Sequence, residues 1–121
     1  MILCVEDDSD FREALAEFLS LHGCVVECAA NGREALRFLH DCKSPPRLIL
    51  LDLSMPRLNG WAFLMERRKD PAIAAVPVVV ISGLGDDTPE RVKRAGATVF
   101  VGKPVDPQTL LALVEHFSAL K

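Results

Sequence analysis

The chain has 121 residues, half of them apolar, and a formal net charge of −3 at pH 7, so it suits one domain with a core of ordinary size and excludes intrinsic disorder. The acidic balance offers no general attraction for phosphate backbones, which argues against direct nucleic-acid binding. No apolar run approaches the ~18 residues of a membrane span, and Met1 leads into "ILCV" without a basic leader, so no membrane association and a cytosolic location are the expectations.

In chain order, short β-rich runs alternate with helical periods. "ILCV" (2–5) reads as a strand and is followed by Glu6-Asp7-Asp8. Phe11, Leu15, Phe18 and Leu19 then recur at i, i+4, i+7 and i+8, a helix capped by Asp8 or Ser9. "CVVEC" (24–28) predicts the second strand, and Ala35, Leu36 and Leu39 after Asn31-Gly32 a second helix. "LILL" (48–51) runs straight into Asp52, and Met55-Pro56 breaks the chain soon after. Trp61, Leu64 and Met65 mark a third apolar face, and Arg67, Arg68 and Lys69 its solvated end.

"VVVI" (78–81) is followed by Ser82-Gly83. In "DDTPERVKRAG", Thr88 before Pro89 opens a helix and Gly96 stops it. "VFV" (99–101) leads to Lys103-Pro104, and a last helix from about Pro107 buries Leu110, Leu113, Val114 and Phe117. The third and fourth strands are continuously apolar, as strands covered on both faces of a parallel sheet must be. Five strands each followed by a helix predict a single doubly wound, three-layer α/β/α domain with right-handed crossovers.

The four cysteines give no support for a redox function. Cys24 and Cys28 lie roughly 13 Å apart along one strand, too far for a disulfide or one metal, and Cys4 and Cys42 belong to other elements. All four are expected as small buried hydrophobes. His22, His40 and His116 fall near helix ends, where a cation suits the dipole, rather than as phosphoryl carriers.

Ligands of an open parallel α/β sheet bind at the carboxyl ends of the strands. Those ends carry Glu6 and Asp7, Asp52, Ser82 and Lys103. Two carboxylates ~5 Å apart repel by about 3 kcal/mol at an effective dielectric near 20, and Lys103 supplies a single compensating charge. A hard divalent cation, Mg²⁺ or another such as Mn²⁺, would relieve the repulsion. Asp52 on its rigid strand is then placed as a nucleophile toward phosphorus. Lys103 would balance the charge of the transferring group, Ser82 would donate to it, and the Ser54 carbonyl would meet the metal.

These segments, "ILCVEDDSDFREAL", "LILLDLSMPRLNGW", "PVVVISG" and "VFVGKP", resemble the response-regulator receiver domains of two-component signalling, in order and over essentially all of residues 1–121. The resemblance implies a single receiver (phosphoacceptor) domain with a chemotaxis-regulator-like, flavodoxin-like fold of strand order 2-1-3-4-5 and five helices. It implies that Asp52 accepts a phosphoryl group from the phosphohistidine of a histidine kinase or phosphotransfer protein in a phosphorelay. Asp7, Asp52 and the Ser54 carbonyl would contact the metal directly and Glu6 through water. Lys103 would pair with the phosphoryl group, Ser82 turn toward it, and Phe100 act as the switch aromatic. The face made by the helix after the fourth strand, the fifth strand and the helix after it would then change, regulating a partner or output domain and favouring dimerisation. Such a chain catalyses only its own phosphoryl transfer and slow autodephosphorylation.

The sequence departs from the family's commoner pattern in having Ser82 for threonine and Phe100 for tyrosine. Ser54 and Leu84 occupy variable positions that tune phosphoryl lifetime in the family. A constitutive interaction module of the same fold would be expected to lack part of the acidic, Asp52 and Lys103 set, all of which is present. A flavin site is disfavoured by the acidic first loop, and an aspartate phosphatase by the lack of an Asp-x-Asp-x-Thr pattern after the first strand.

Overall fold

A computed structural model describes residues 1–53, 60–83 and 89–119, with side chains through Phe117. Its elements are β1 (Ile2–Val5), α1 (Ser9–Leu21), β2 (Val26–Ala29), α2 (Gly32–Asp41), β3 (Leu48–Asp52), α3 (Gly60–Arg67), α4 (Pro71–Ala74), β4 (Val78–Ser82), α5 (Pro89–Arg94), β5 (Val99–Gly102) and α6 (Pro107–Ala119). The five strands form one parallel sheet in the order β2-β1-β3-β4-β5. None of the described helices is long and apolar enough to cross a membrane.

β1, β3 and β4 are buried at every position, because both faces of the sheet are covered. The period of two along each strand divides the apolar residues between two cores. Leu3, Val5, Ile49, Leu51, Val78 and Val80 face Ala35, Leu39, Phe63, Leu64, Ile73 and Val92. Ile2, Cys4, Leu48, Leu50, Val79 and Ile81 face Leu15 and Leu19 of α1 and Leu110 and Val114 of α6. One continuous strand thus serves two cores, which is why its sequence shows no polar alternation.

Helix starts follow side-chain chemistry. Asp8 caps α1, accepting from the Asp10 and Phe11 amides at 3.0 and 3.2 Å. Asn31 caps α2 by accepting from the Glu34 amide at 2.8 Å, while Glu34 Oε1 reaches back to the Ala30 amide at 3.2 Å. Pro89 opens α5, and Gly96, at φ 115°, stops it in a left-handed conformation. Thr88, the expected cap, lies outside the described residues.

Several expectations from the sequence are corrected. The predicted five helices become six, because Asp70 accepts from the Ala72 amide at 3.0 Å and Pro71 presets φ, together nucleating the single turn α4. β2 starts at Val26 rather than Cys24, whose amide still donates to Leu19 O at the end of α1, 3.0 Å away. On α3 the buried pair is Phe63 and Leu64, and Met65 is 54 % exposed. Only Cys4 is buried; Cys24 and Cys42 are half-buried and Cys28 is exposed.

Arg67 is the largest departure. Expected in a solvated helix end, it is only 3 % exposed. Its guanidinium donates to Ala74 O at 2.8 Å and to Gly96 O at 2.6 Å, tying α3 to the last residue of α4 and to the turn before β5. Burial lowers its pKa, and Arg68 adds to the effect. Arg67→Met keeps much of the side-chain volume but leaves two carbonyls without their charged donor, and we expect it to lower stability by about 2–3 kcal/mol. Urea denaturation with an unchanged m-value checks this; a loss within experimental error would show the two bonds to be dispensable.

Candidate functional site

The ladder itself assembles the site. Asp52 ends β3 opposite Ile81, and Ser82 ends β4 opposite Gly102. The Glu6 amide donates to Ala29 O at 3.0 Å, extending β1 by one residue, and the Lys103 amide donates to Ser82 O at 2.8 Å, extending β5. Carboxylates, hydroxyl residue and ammonium therefore reach the same rim of the sheet because parallel register puts the ends of four strands level. The Lys103-Pro104 peptide bond is cis.

Glu6, Asp7 and Asp52 each bring a carboxylate oxygen within 4.8 Å of the others. Glu6 and Asp52 are 2 % and 6 % exposed, whereas Asp7 stands open to solvent. Lys103 Nζ lies 3.5 Å from Glu6 Oε1 and 3.8 Å from Asp52 Oδ1. One ammonium thus faces two buried carboxylates, with a third at the mouth. An all-oxygen donor set with excess negative charge fits a hard divalent cation of the Mg²⁺ or Mn²⁺ kind.

Glu6 registers the imbalance. Burial first, then a hydrogen bond and repulsion from Asp52, push its pKa up to about 7, although the Asp8 amide donating to Oε2 at 3.2 Å opposes the shift. A protonated Glu6 can donate to the Asp52 carboxylate, so the two share a proton more readily than they share a second negative charge.

Arg12, Phe11 and Gly60, none of which the sequence assigned a role in the site, hold this arrangement in place. Arg12 Nη1 donates to Glu6 O at 2.8 Å, fixing the turn that carries the acidic pair. Phe11 places its ring 4.9 Å from Lys103 Nζ, a cation–π contact. Gly60 packs its Cα face against the Leu53 backbone, where an added Cβ would also come within 2.6 Å of Asp52 O. The glycine closes the motif segment in the sequence, but its reason is visible only in the packing. Phe11 and Arg12 carried no such signal, since the helical period assigns Phe11 to the core and Arg12 to solvent.

Other expected residues are placed as follows. Ser82 is buried at 2 % exposure beside the cluster's rim. Phe100 is half-buried opposite Val80 and packs on the core beneath α2 to α5. Asp8 serves as the α1 cap. Ser54, Met55, Pro56 and Leu84 lie outside the described residues, and with them the expected metal contact of the Ser54 carbonyl.

A family model described as the response regulator receiver domain matches residues 2–115. The probable transcriptional regulator ycf27 of Guillardia theta is 35 % identical over 115 residues, covering 93 % of this chain and 43 % of its own length. Among solved structures, the receiver domain of NtrX from Brucella abortus aligns over 100 % of both chains with a TM-score of 0.87 and 34 % identity. The signal receiver domain of a signal transduction histidine kinase from Syntrophus aciditrophicus gives a TM-score of 0.86 at 35 % identity, over 99 % of this chain and 91 % of that one. The chain spans about half the length of curated relatives such as the ycf27 and Rre1 regulators.

The raised Glu6 pKa sets the pH behaviour of the metal-free chain. Between its ordinary 4.5 and about 7, the folded state keeps a proton that the unfolded state has lost, so stability falls as pH rises through that window. In chelator, the urea midpoint should decline from pH 5 to pH 7.5, and Glu6→Gln should flatten the decline. Parallel slopes for the two proteins would show that Glu6 is not the group responsible.

Proposed function

We propose that this chain, which belongs to the response regulator receiver domain family, is a signalling switch that accepts a phosphoryl group on Asp52 and is controlled by it. The observation that carries this reading is Lys103 Nζ at 3.5 and 3.8 Å from the buried Glu6 and Asp52, with Asp7 completing the acidic cluster.

In the proposed transfer, a carboxylate oxygen of Asp52 attacks the phosphorus of a phosphohistidine on a histidine kinase or phosphotransfer protein. The P–N bond breaks and the imidazole leaves, so one high-energy bond is exchanged for an acyl-phosphate. The strand fixes the attacking oxygen in the core's rigid layer, and most of the catalysis is positioning and charge balance. A Mg²⁺ or Mn²⁺ ion held by Asp7, Asp52 and the Ser54 carbonyl, with Glu6 through water, would supply positive charge to the phosphoryl oxygens. Lys103 supplies the protein's own positive charge there, and Ser82 contributes a hydroxyl donor. Hydrolysis of the acyl-phosphate returns the chain slowly to its starting state.

The output follows from charge. Phosphorylation replaces about one negative charge with about two and adds strong acceptors. Lys103 then shifts its partnership from Glu6 toward the phosphoryl group, Ser82 turns inward, and Phe100 moves into the space behind it. Because Ser82 and Lys103 sit at the ends of β4 and β5, the face of α5, β5 and α6 changes with them. That face is the proposed surface for a partner, an output domain or a second copy of the chain. The regulators named among the relatives are about twice as long as this chain, which favours an attached or separate output.

Incubation with acetyl phosphate and Mg²⁺ should add a single phosphate at Asp52, read by intact mass and by peptide mapping. Asp52→Asn should take up none, chelation should stop the reaction, and Lys103→Ala should slow it about 10²-fold. Equal labelling of Asp52→Asn overturns the assignment.

A further inference from the structure

We propose that Cys4 and Cys28 form a redox-modifiable dithiol that closes to an intramolecular disulfide when a small peroxide oxidises the exposed Cys28. The pairing comes from the fold, not from spacing along the chain. Cys4 and Cys28 are direct partners in the parallel register of β1 and β2. They also share a face of the sheet: Cys4 packs with Ile2, Leu15 and Leu19, and Val26, two residues before Cys28, packs on that same cluster. The two thiols lie within hydrogen-bonding reach of each other. Both cysteines are free, Cys4 buried and Cys28 exposed.

Neighbouring strands lie ~4.8 Å apart, inside the ~4.4–6.8 Å Cα window of disulfides. Side chains of in-register parallel partners run side by side rather than converging, so the bond requires a small shift of β2. That strand is at the edge of the sheet and, among the described strands, pairs with β1 alone. A bond formed in this way is strained, hence easily reduced, which suits a reversible modification rather than a structural staple.

The chemistry balances without a metal. The Cys28 sulfur attacks one oxygen of hydrogen peroxide, the O–O bond breaks, and the second oxygen leaves as water, giving a sulfenic acid. The Cys4 sulfur then attacks the Cys28 sulfur, the S–O bond breaks, and the hydroxyl leaves as water with the Cys4 proton. The two thiols lose two electrons and the peroxide gains them. Partial burial raises the Cys28 pKa and Arg12 only partly offsets it, so the step calls for oxidant in excess rather than trace peroxide. Arg12 also holds Glu6 O at 2.8 Å, and Cys4 precedes Glu6 by two residues, so closing the bond pulls on the end of β1. The assignment rests on strand pairing and is independent of phosphoryl transfer.

The test uses the full chain with excess hydrogen peroxide, followed by quenching, denaturation, alkylation and cleavage after Glu27, which separates Cys24 from Cys28. The expected product is a Cys4–Cys28 cross-linked peptide, lighter by two hydrogens and restored by dithiothreitol, with Cys24 and Cys42 alkylated. Cys4→Ala should drive Cys28 to sulfinic or sulfonic acid, and Cys28→Ser should leave Cys4 a free thiol. In the unaltered chain, overoxidised Cys28 beside alkylatable Cys4, a Cys24–Cys28 link, or no oxidation at all would each overturn the proposal.

Discussion

The site depends on one ammonium group. Lys103 Nζ sits between Glu6 and Asp52, two carboxylates almost wholly withdrawn from water. Desolvation penalises each negative charge, and their mutual repulsion adds to it. Lys103 offsets part of this and the raised Glu6 pKa accommodates another part. What remains is a local excess of negative charge in a rigid setting. A hard divalent cation would meet that excess by adding positive charge.

Holding such a cluster together requires a scaffold that does not relax when its charges repel. The sheet supplies it: β1, β3 and β4 are buried on both faces, and the cores against α1 and α6 and against α2 to α5 clamp them from either side. Local devices complete the positioning. Arg12 anchors the Glu6 carbonyl, Phe11 offers its ring to Lys103, and Gly60 lets α3 begin directly against the Asp52–Leu53 backbone. A side chain at Gly60 would push on the strand end that carries Asp52, so the glycine serves the site although it carries no chemistry.

The second layer of organisation lies on the α3 to α5 side. Arg67 joins α3 to α4 and to the turn before β5, and Arg91 of α5 lies 5.5 Å from the Trp61 ring at the start of α3. These contacts differ in kind. Arg67 is buried and makes two short bonds to carbonyls, so it fixes the base of the layer. The Arg91–Trp61 contact is a partly exposed cation–π pair, weaker and easily remade. Arg67 therefore ties the layer together near the strand starts, and the Arg91–Trp61 contact is the weaker of the two.

By itself the sequence determined the alternation of strands and helices, the strand ends bearing Glu6, Asp7, Asp52, Ser82 and Lys103, and the cap at Asp8. These are local matters of periodicity, side-chain oxygen and apolar run length, and short-range physics suffices to read them. It misplaced Arg67, Met65, Cys24, Cys28 and Cys42, because burial on a helix end or an edge strand depends on which element arrives from elsewhere. Only the tertiary structure decided that Arg67 finds two carbonyls, that Phe11 and Arg12 turn toward the site, and that Cys4 meets Cys28. Each of these follows from the β2-β1-β3-β4-β5 order and its register: a parallel ladder brings residues distant in sequence level with one another, and a linear pattern holds no record of that.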